Sequence, residues 1–70
     1  MQEVRAPMAG TIFEILVKQG DRVSEGDELL ILESMKMEIP VEAEAGGTVA
    51  SIACEQGQPV QEDDVLLTLE

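Results

Sequence analysis

Seventy residues with fifteen acids against four bases, a net charge of −11, make one small acidic domain spanning residues 1–70. That charge excludes the basic surface needed for nucleic acid or an anionic membrane, and no apolar run approaches membrane-spanning length. At 44% hydrophobic the chain is not disordered, and with Phe13 as its one aromatic residue it must fold around an aliphatic core.

Turn residues break the chain into short strands, the pattern of an all-β sandwich or barrel. The first strand is expected at about Glu3 to Ala6, followed by a Pro7 to Gly10 turn. Thr11 to Val17 is a second strand rich in β-branched residues. Gln19-Gly20-Asp21 is a turn, Arg22-Val23 a short extended piece, and Ser24 to Asp27 a polar turn. An apolar strand, Glu28 to Leu32, leads to Ser34–Met37, and Ile39 to Val41 is the next extended stretch. Glu42 to Ala45 could form a scrap of helix, stopped at once by Gly46-Gly47. Gly47 to Ala53, Pro59-Val60 and Val65 to Leu69 complete the strands, and no segment has a convincing helical period.

The chain also repeats. Shifted by thirty-seven positions, residues 3–33 align without a gap on residues 40–70, with fourteen identities in thirty-one positions. Chance gives roughly two for average composition. Gly10 meets Gly47, Gly20 meets Gly57, and Leu29-Leu30 meet Leu66-Leu67. Two copies are too few for a solenoid and imply a pseudo-twofold domain in which each half covers the other's apolar face. Ile12 meets Val49 and Ile15 meets Ile52, three residues apart and so on opposite faces of a regular strand. A bulge between them reconciles the two patterns.

Several kinds of chemistry are absent. Without histidine there is no Ser-His-Asp or Cys-His nucleophile and no ordinary zinc site. Cys54 is alone and aligns with Val17, which makes it a small core residue. A lone cysteine and no signal or transit peptide point to the cytoplasm. Glu62-Asp63-Asp64 occupies a polar turn without metal-loop spacing and reads as solvated.

What remains is Glu33-Ser34-Met35-Lys36-Met37-Glu38, at the one internal join that the repeat leaves out. The flanking strands make it a hairpin with Met35 and Lys36 near the tip. Tight hairpins want Asn-Gly or Asp-Gly there, because the central residues need positive φ. Met-Lys breaks that rule, and broken local rules mark functional positions. An exposed amine is not a self-activated nucleophile, so Lys36 needs another protein to activate its modification.

These residues resemble the biotin-attachment motif, Glu-Ala-Met-Lys-Met in its commonest form. The similarity extends along the chain: Ala6-Pro7-Met8-Ala9-Gly10, Val17 through Val23, and Glu25-Gly26-Asp27 with Leu29 resemble the same family's segments. Ser34 replaces the usual alanine, and no insertion corresponding to the "thumb" of some acetyl-CoA carboxylase carriers interrupts the first half. The resemblance implies a flattened β-barrel of two four-stranded sheets with biotin in amide linkage to Lys36. Glu33, Ser34, Met35, Met37 and Glu38 would be read by biotin protein ligase and by partner enzymes. It implies a non-catalytic, monomeric carrier that shuttles a carboxyl group between biotin carboxylase and a carboxyltransferase. Two other readings stay open: a lipoyl carrier, whose sites typically read Asp-Lys-Ala, and an unmodified barrel-like interaction module.

Overall fold

Eight short strands form in the computed structural model, which describes residues 1–70. They are β1 (Gln2–Arg5), β2 (Gly10–Ile15), β3 (Arg22–Val23), β4 (Glu28–Ser34), β5 (Met37–Glu42), β6 (Gly47–Ile52), β7 (Pro59–Val60) and β8 (Val65–Leu69). They make two four-stranded antiparallel sheets, ordered β1-β8-β6-β3 and β5-β4-β2-β7. The thirty-seven-residue shift carries β1, β8, β6 and β3 onto β5, β4, β2 and β7, so the sequence repeat maps one sheet onto the other. Each half supplies two strands to each sheet. Neither half can therefore bury its apolar face alone.

The repeat is legible down to single hydrogen bonds. The Ala6 amide donates to the Asp64 carbonyl at 2.9 Å, and its mate Ala43 donates to Asp27 at 2.8 Å. Ile12 donates to Gln58, and Val49 to Asp21. Three carboxylates and one amide close the matched turns. Asp21 accepts from the Lys18 amide, Asp27 from Ser24, Asp64 from Gln61, and the Gln58 side chain from Glu55, all at 2.8–2.9 Å. These are side-chain-closed turns, which short polar side chains favour. Part of the acidic composition is thus structural, Asp64 of the Glu62-Asp63-Asp64 run included.

The core is entirely apolar, with six leucines among its fully buried side chains: Leu29, Leu30, Leu32, Leu66, Leu67 and Leu69. Consecutive buried leucines do not fit simple alternation. Register shifts between Glu28 and Leu30, and where Val4 and Arg5 pair with Leu67 and Val65, leave Leu29 and Leu66 as the extra residues. Those bulges let both leucines of each pair turn inward. The bulge expected in the second strand lies between Ile12 and Glu14, and its mate lies between Val49 and Ser51. The extra residues there are Phe13 and Ala50, so Phe13 stands 43% exposed. Cys54 is buried, and that burial pushes its thiol up from the ordinary range, leaving little reactive thiolate.

Two expectations need correction. Glu42–Ala45 forms no helix: Glu42 ends β5, Ala43 is buried, and the chain bends at Glu44-Ala45. Pairing with β4 and burial of Ala43 outweigh a four-residue helical preference too short to nucleate. Gly10 does not close the expected Pro7 to Gly10 turn: it opens β2, as Gly47 opens β6, and neither has positive φ. Their requirement is space, because a Cβ at either would lie 2.6 Å from a backbone oxygen, that of Glu33 or Glu70.

One turn departs from its mate in a testable way. Gly26 has φ +89°, and the equivalent residue is Asp63, at φ 72°. A side chain there costs energy that glycine does not incur. Its two hydrogen bonds, from Arg5 Nη1 to the Asp63 carbonyl and from the Asp63 amide to the Ala6 carbonyl, both at 2.9 Å, use its backbone and survive substitution. Asp63→Gly is expected to raise stability by about 0.5–1 kcal/mol, the relief of strain exceeding the added flexibility of the unfolded chain. Chemical denaturation checks this, and a lower midpoint would refute it.

Candidate functional site

β4 and β5 pair from Glu28↔Glu42 up to Ser34↔Met37, which leaves two residues, Met35 and Lys36, to turn the chain. Both have positive φ, 53° and 66°. Positive φ at both central residues defines the I′ class of two-residue hairpin, whose twist matches that of the strands. Strand pairing enforces this geometry on residues that disfavour it, at about 1–2 kcal/mol each. Both strands run further toward the tip than expected, β4 to Ser34 and β5 from Met37, because so tight a turn allows pairing up to its edge.

The side chains around the amine are presented rather than packed. Met35 is 92% exposed and Met37 63%, and Lys36 is exposed as well. Glu33 and Glu38 face each other across the hairpin, both exposed, and Ser34 is half-buried. Like charges directly opposite one another destabilise a strand pair. An acidic pair, two solvent-facing methionines and two strained backbone positions thus meet within six residues. None of this serves the core.

The structure therefore brings Glu33, Ser34, Met35, Lys36, Met37 and Glu38 together on one hairpin. It adds a neighbour that the motif did not single out. β2 runs antiparallel to β4 with Thr11 opposite Glu33, so its first residue, Gly10, lies at the hairpin end of the sheet. The Pro7–Ala9 segment feeding β2 is at that end too, with Met8 40% exposed. Because Gly10 approaches the Glu33 carbonyl so closely, the Ala6–Gly10 segment buttresses the strand that ends in the hairpin.

The hairpin has no counterpart in the other sheet. Its symmetry mate is the place where β1 and β8 lie paired but unconnected, Gln2 opposite Leu69. Only one of the two equivalent positions is a closed turn, so the pseudo-twofold domain carries one such lysine.

Over residues 2–69 the sequence matches the biotin/lipoyl family, described as "Biotin-requiring enzyme". The chain belongs to the biotin/lipoyl attachment family. A biotinylated protein TB7.3 homolog of Mycolicibacterium smegmatis is 52% identical over 42 residues, 60% of this chain and 59% of that protein. The 1.3S subunit of methylmalonyl-CoA carboxyltransferase from Propionibacterium freudenreichii subsp. shermanii is 58% identical over 36 residues, 51% of this chain and 29% of that one. Urea carboxylase of Kluyveromyces lactis contains the same fold, with TM-score 0.93 and 28% identity over 99% of this chain and 6% of that chain. The match thus spans about three fifths of the TB7.3 homolog's length and a small part of the solved carboxylase. In this biotin/lipoyl domain the methionine-flanked lysine stands at the hairpin crest.

The hairpin's strain gives a prediction separable from any chemistry. Replacing Met35-Lys36 with Asn-Gly, the residues suited to this turn, is expected to raise stability by about 1–2 kcal/mol. For a domain this size each kcal/mol is worth about 4–8 °C in Tm. A thermal melt that shows no rise would mean that the turn is not strained.

Proposed function

We propose that this chain is a biotin carboxyl carrier domain, loaded on Lys36 by biotin protein ligase. The observation that carries the reading is Lys36 on the crest of a strained two-residue hairpin, between two exposed methionines, in a domain of the biotin/lipoyl family. A steep crest suits covalent attachment. It holds the amine clear of the barrel, where a ligase can surround it, and no neighbouring side chain is in the way. The reaction forms an amide between Lys36 Nζ and the biotin carboxyl carbon. The ligase supplies the activated carboxyl, and the activating group and a proton leave.

Once attached, biotin supplies a ring that accepts a carboxyl group and releases it to an acceptor. The chain's own residues do other work. The paired strands fix the direction in which the lysine leaves the domain. Met35 and Met37 give an apolar collar, and Glu33 and Glu38 an acidic one, for recognition by the ligase and by the partner enzymes. Tethering raises the local concentration of the ring at two active sites in turn. We take residues 1–70 as one monomeric domain, working in the cytoplasm with a biotin carboxylase and a carboxyltransferase.

Intact mass after co-expression with a biotin protein ligase tests the loading, with the gain of one biotinyl group expected. The family includes lipoyl attachment, so a parallel expression with lipoate and its ligase separates the two cofactors. A lipoyl adduct and no biotin would reverse the assignment, and no adduct in either would favour an unmodified module. The domain lacks histidine, and the one buried nucleophile, Cys54, is held as a thiol. The biotin-loaded domain alone is therefore expected to carboxylate no acyl-CoA. Turnover without added enzymes would overturn the carrier reading.

A further inference from the structure

The two sheets share a backbone plan but not an outer surface. Inside, the repeat conserves character: Ile12 and Val49, Leu30 and Leu67, Leu32 and Leu69, Val41 and Val4 are matched buried pairs. Outside, the match fails. On the sheet that carries Lys36, Ile31 pairs with Pro40 on one side and Glu14 on the other. Their strand neighbours Leu30, Leu32 and Val41 are buried, so alternation turns this row outward. Phe13, extruded by the bulge beside Glu14, is exposed on the same face. The equivalents of Phe13, Ile31 and Pro40 on the other sheet are Ala50, Thr68 and Glu3. There Thr68 pairs with Glu3 and Ser51, and its hydroxyl lies 2.7 Å from that of Ser51. One outer face is small and polar; the other presents the chain's only aromatic ring beside an isoleucine and a proline. The fold does not require those apolar residues, because the same backbone stands without them in its other half.

We infer that this outer face, centred on Phe13 and Ile31, docks the enzyme that carboxylates the tethered cofactor, an inference resting on the carrier function proposed above. The partner surface is an apolar contact surrounded by Lys and Arg. Glu14, Glu33 and Glu38 rim the patch on this side, and the domain's net charge is −11. Such a rim steers a cationic surface and repels a second copy of this chain. An apolar contact of three side chains, Phe13, Ile31 and Pro40, suits a transient encounter rather than a permanent interface. The ligase must reach the Lys36 amine itself and so engages the crest. An enzyme that receives the far end of the arm stands off from the crest and has to recognise the body of the domain. The outer face below the hairpin, in the same sheet, is where that body is most distinctive.

The test exchanges the face for its mate. Phe13→Ala with Ile31→Thr introduces residues that the fold already accepts at Ala50 and Thr68. Wild type and double variant are loaded by biotin protein ligase, and loading is followed by intact mass. Each loaded domain is then the substrate of the biotin carboxylase of the same organism, with ATP and bicarbonate. The expected result is equal loading rates, a KM for the loaded domain raised about tenfold, and a kcat within about twofold of wild type. Carboxylation of free biotin, which bypasses docking, is the control and stays constant. Glu14→Lys, which leaves the apolar contact in place, is expected to raise KM at low salt and to converge with wild type at high salt. An unchanged KM in the double variant overturns the inference, as does a slowed ligase step with normal carboxylation. Failure of the wild-type chain to accept biotin overturns the carrier function and this inference with it.

Discussion

Lys36→Arg is expected to abolish biotin incorporation while leaving the unfolding free energy within about 0.5 kcal/mol of wild type. The two halves of this prediction come from different parts of the structure. Incorporation fails because guanidinium stays protonated and offers no free amine for an amide bond. The fold survives because Lys36 lies at an exposed turn and contributes nothing to the apolar core. Arginine keeps the charge and the length and faces the same positive-φ penalty, so the hairpin is no more strained than before. Streptavidin blotting with intact mass checks the first half, and thermal melting the second. Biotin retained in this variant would point to Lys18, the other lysine of the chain. That residue follows β2 in a turn closed by Asp21, with no methionine flanks and no hairpin crest. Its modification would overturn the site assignment.

Gly10→Val is expected to be the most damaging single change to the fold, with Gly47→Val close behind. A Cβ at Gly10 would stand 2.6 Å from the Glu33 carbonyl oxygen and 3.1 Å from Leu32 Cγ. At Gly47 it would stand 2.6 Å from the Glu70 oxygen. The obstruction is strand backbone, which cannot rotate aside as a long side chain does. Strand β2 has to part from β4, or β6 from β8, and buried leucines lie under both pairs. We expect a loss of about 3 kcal/mol, at the upper end of overpacking costs. Stability for a chain this short is on the order of 4–10 kcal/mol, so the loss is a large fraction of the whole. Urea denaturation measures it. The two variants also differ informatively: Gly10→Val displaces the strand that ends in the hairpin and is expected to slow biotin loading, whereas Gly47→Val acts in the other sheet. An unchanged midpoint for Gly10→Val would show that the strands do not approach as described.

The repeat explains why so much was legible in one dimension. Identical turns and identical leucine pairs at a constant offset mean that the two halves solve the same burial problem. The offset predicted matched strands, the bulge near Phe13 and the isolation of Lys36 at the join. Local chemistry supplied the rest of the site: Met-Lys in a place that wants Asn-Gly is a contradiction visible before any coordinates. The misreadings have one cause. Glu42–Ala45 as helix and Gly10 as a turn glycine were both judged from near neighbours in sequence. The deciding contacts, Ala43 with Asp27 and Gly10 with Glu33, span sixteen and twenty-three residues.

By itself the sequence determined the strand pattern, the twofold plan, the aliphatic core and the lysine set apart from both copies. These follow from the order of apolar, turn and charged residues along the chain, which fixes local preference and which faces must be buried. Tertiary structure alone decided that each half divides its strands between both sheets. It also decided that Gly10 and Gly47 yield space rather than torsion, and that Phe13 and Ile31 share one outer face while Ala50 and Thr68 share the other. Those outcomes depend on pairing register and on which strands become neighbours. Both are set by the collective burial of residues distant in the chain, which no single segment encodes.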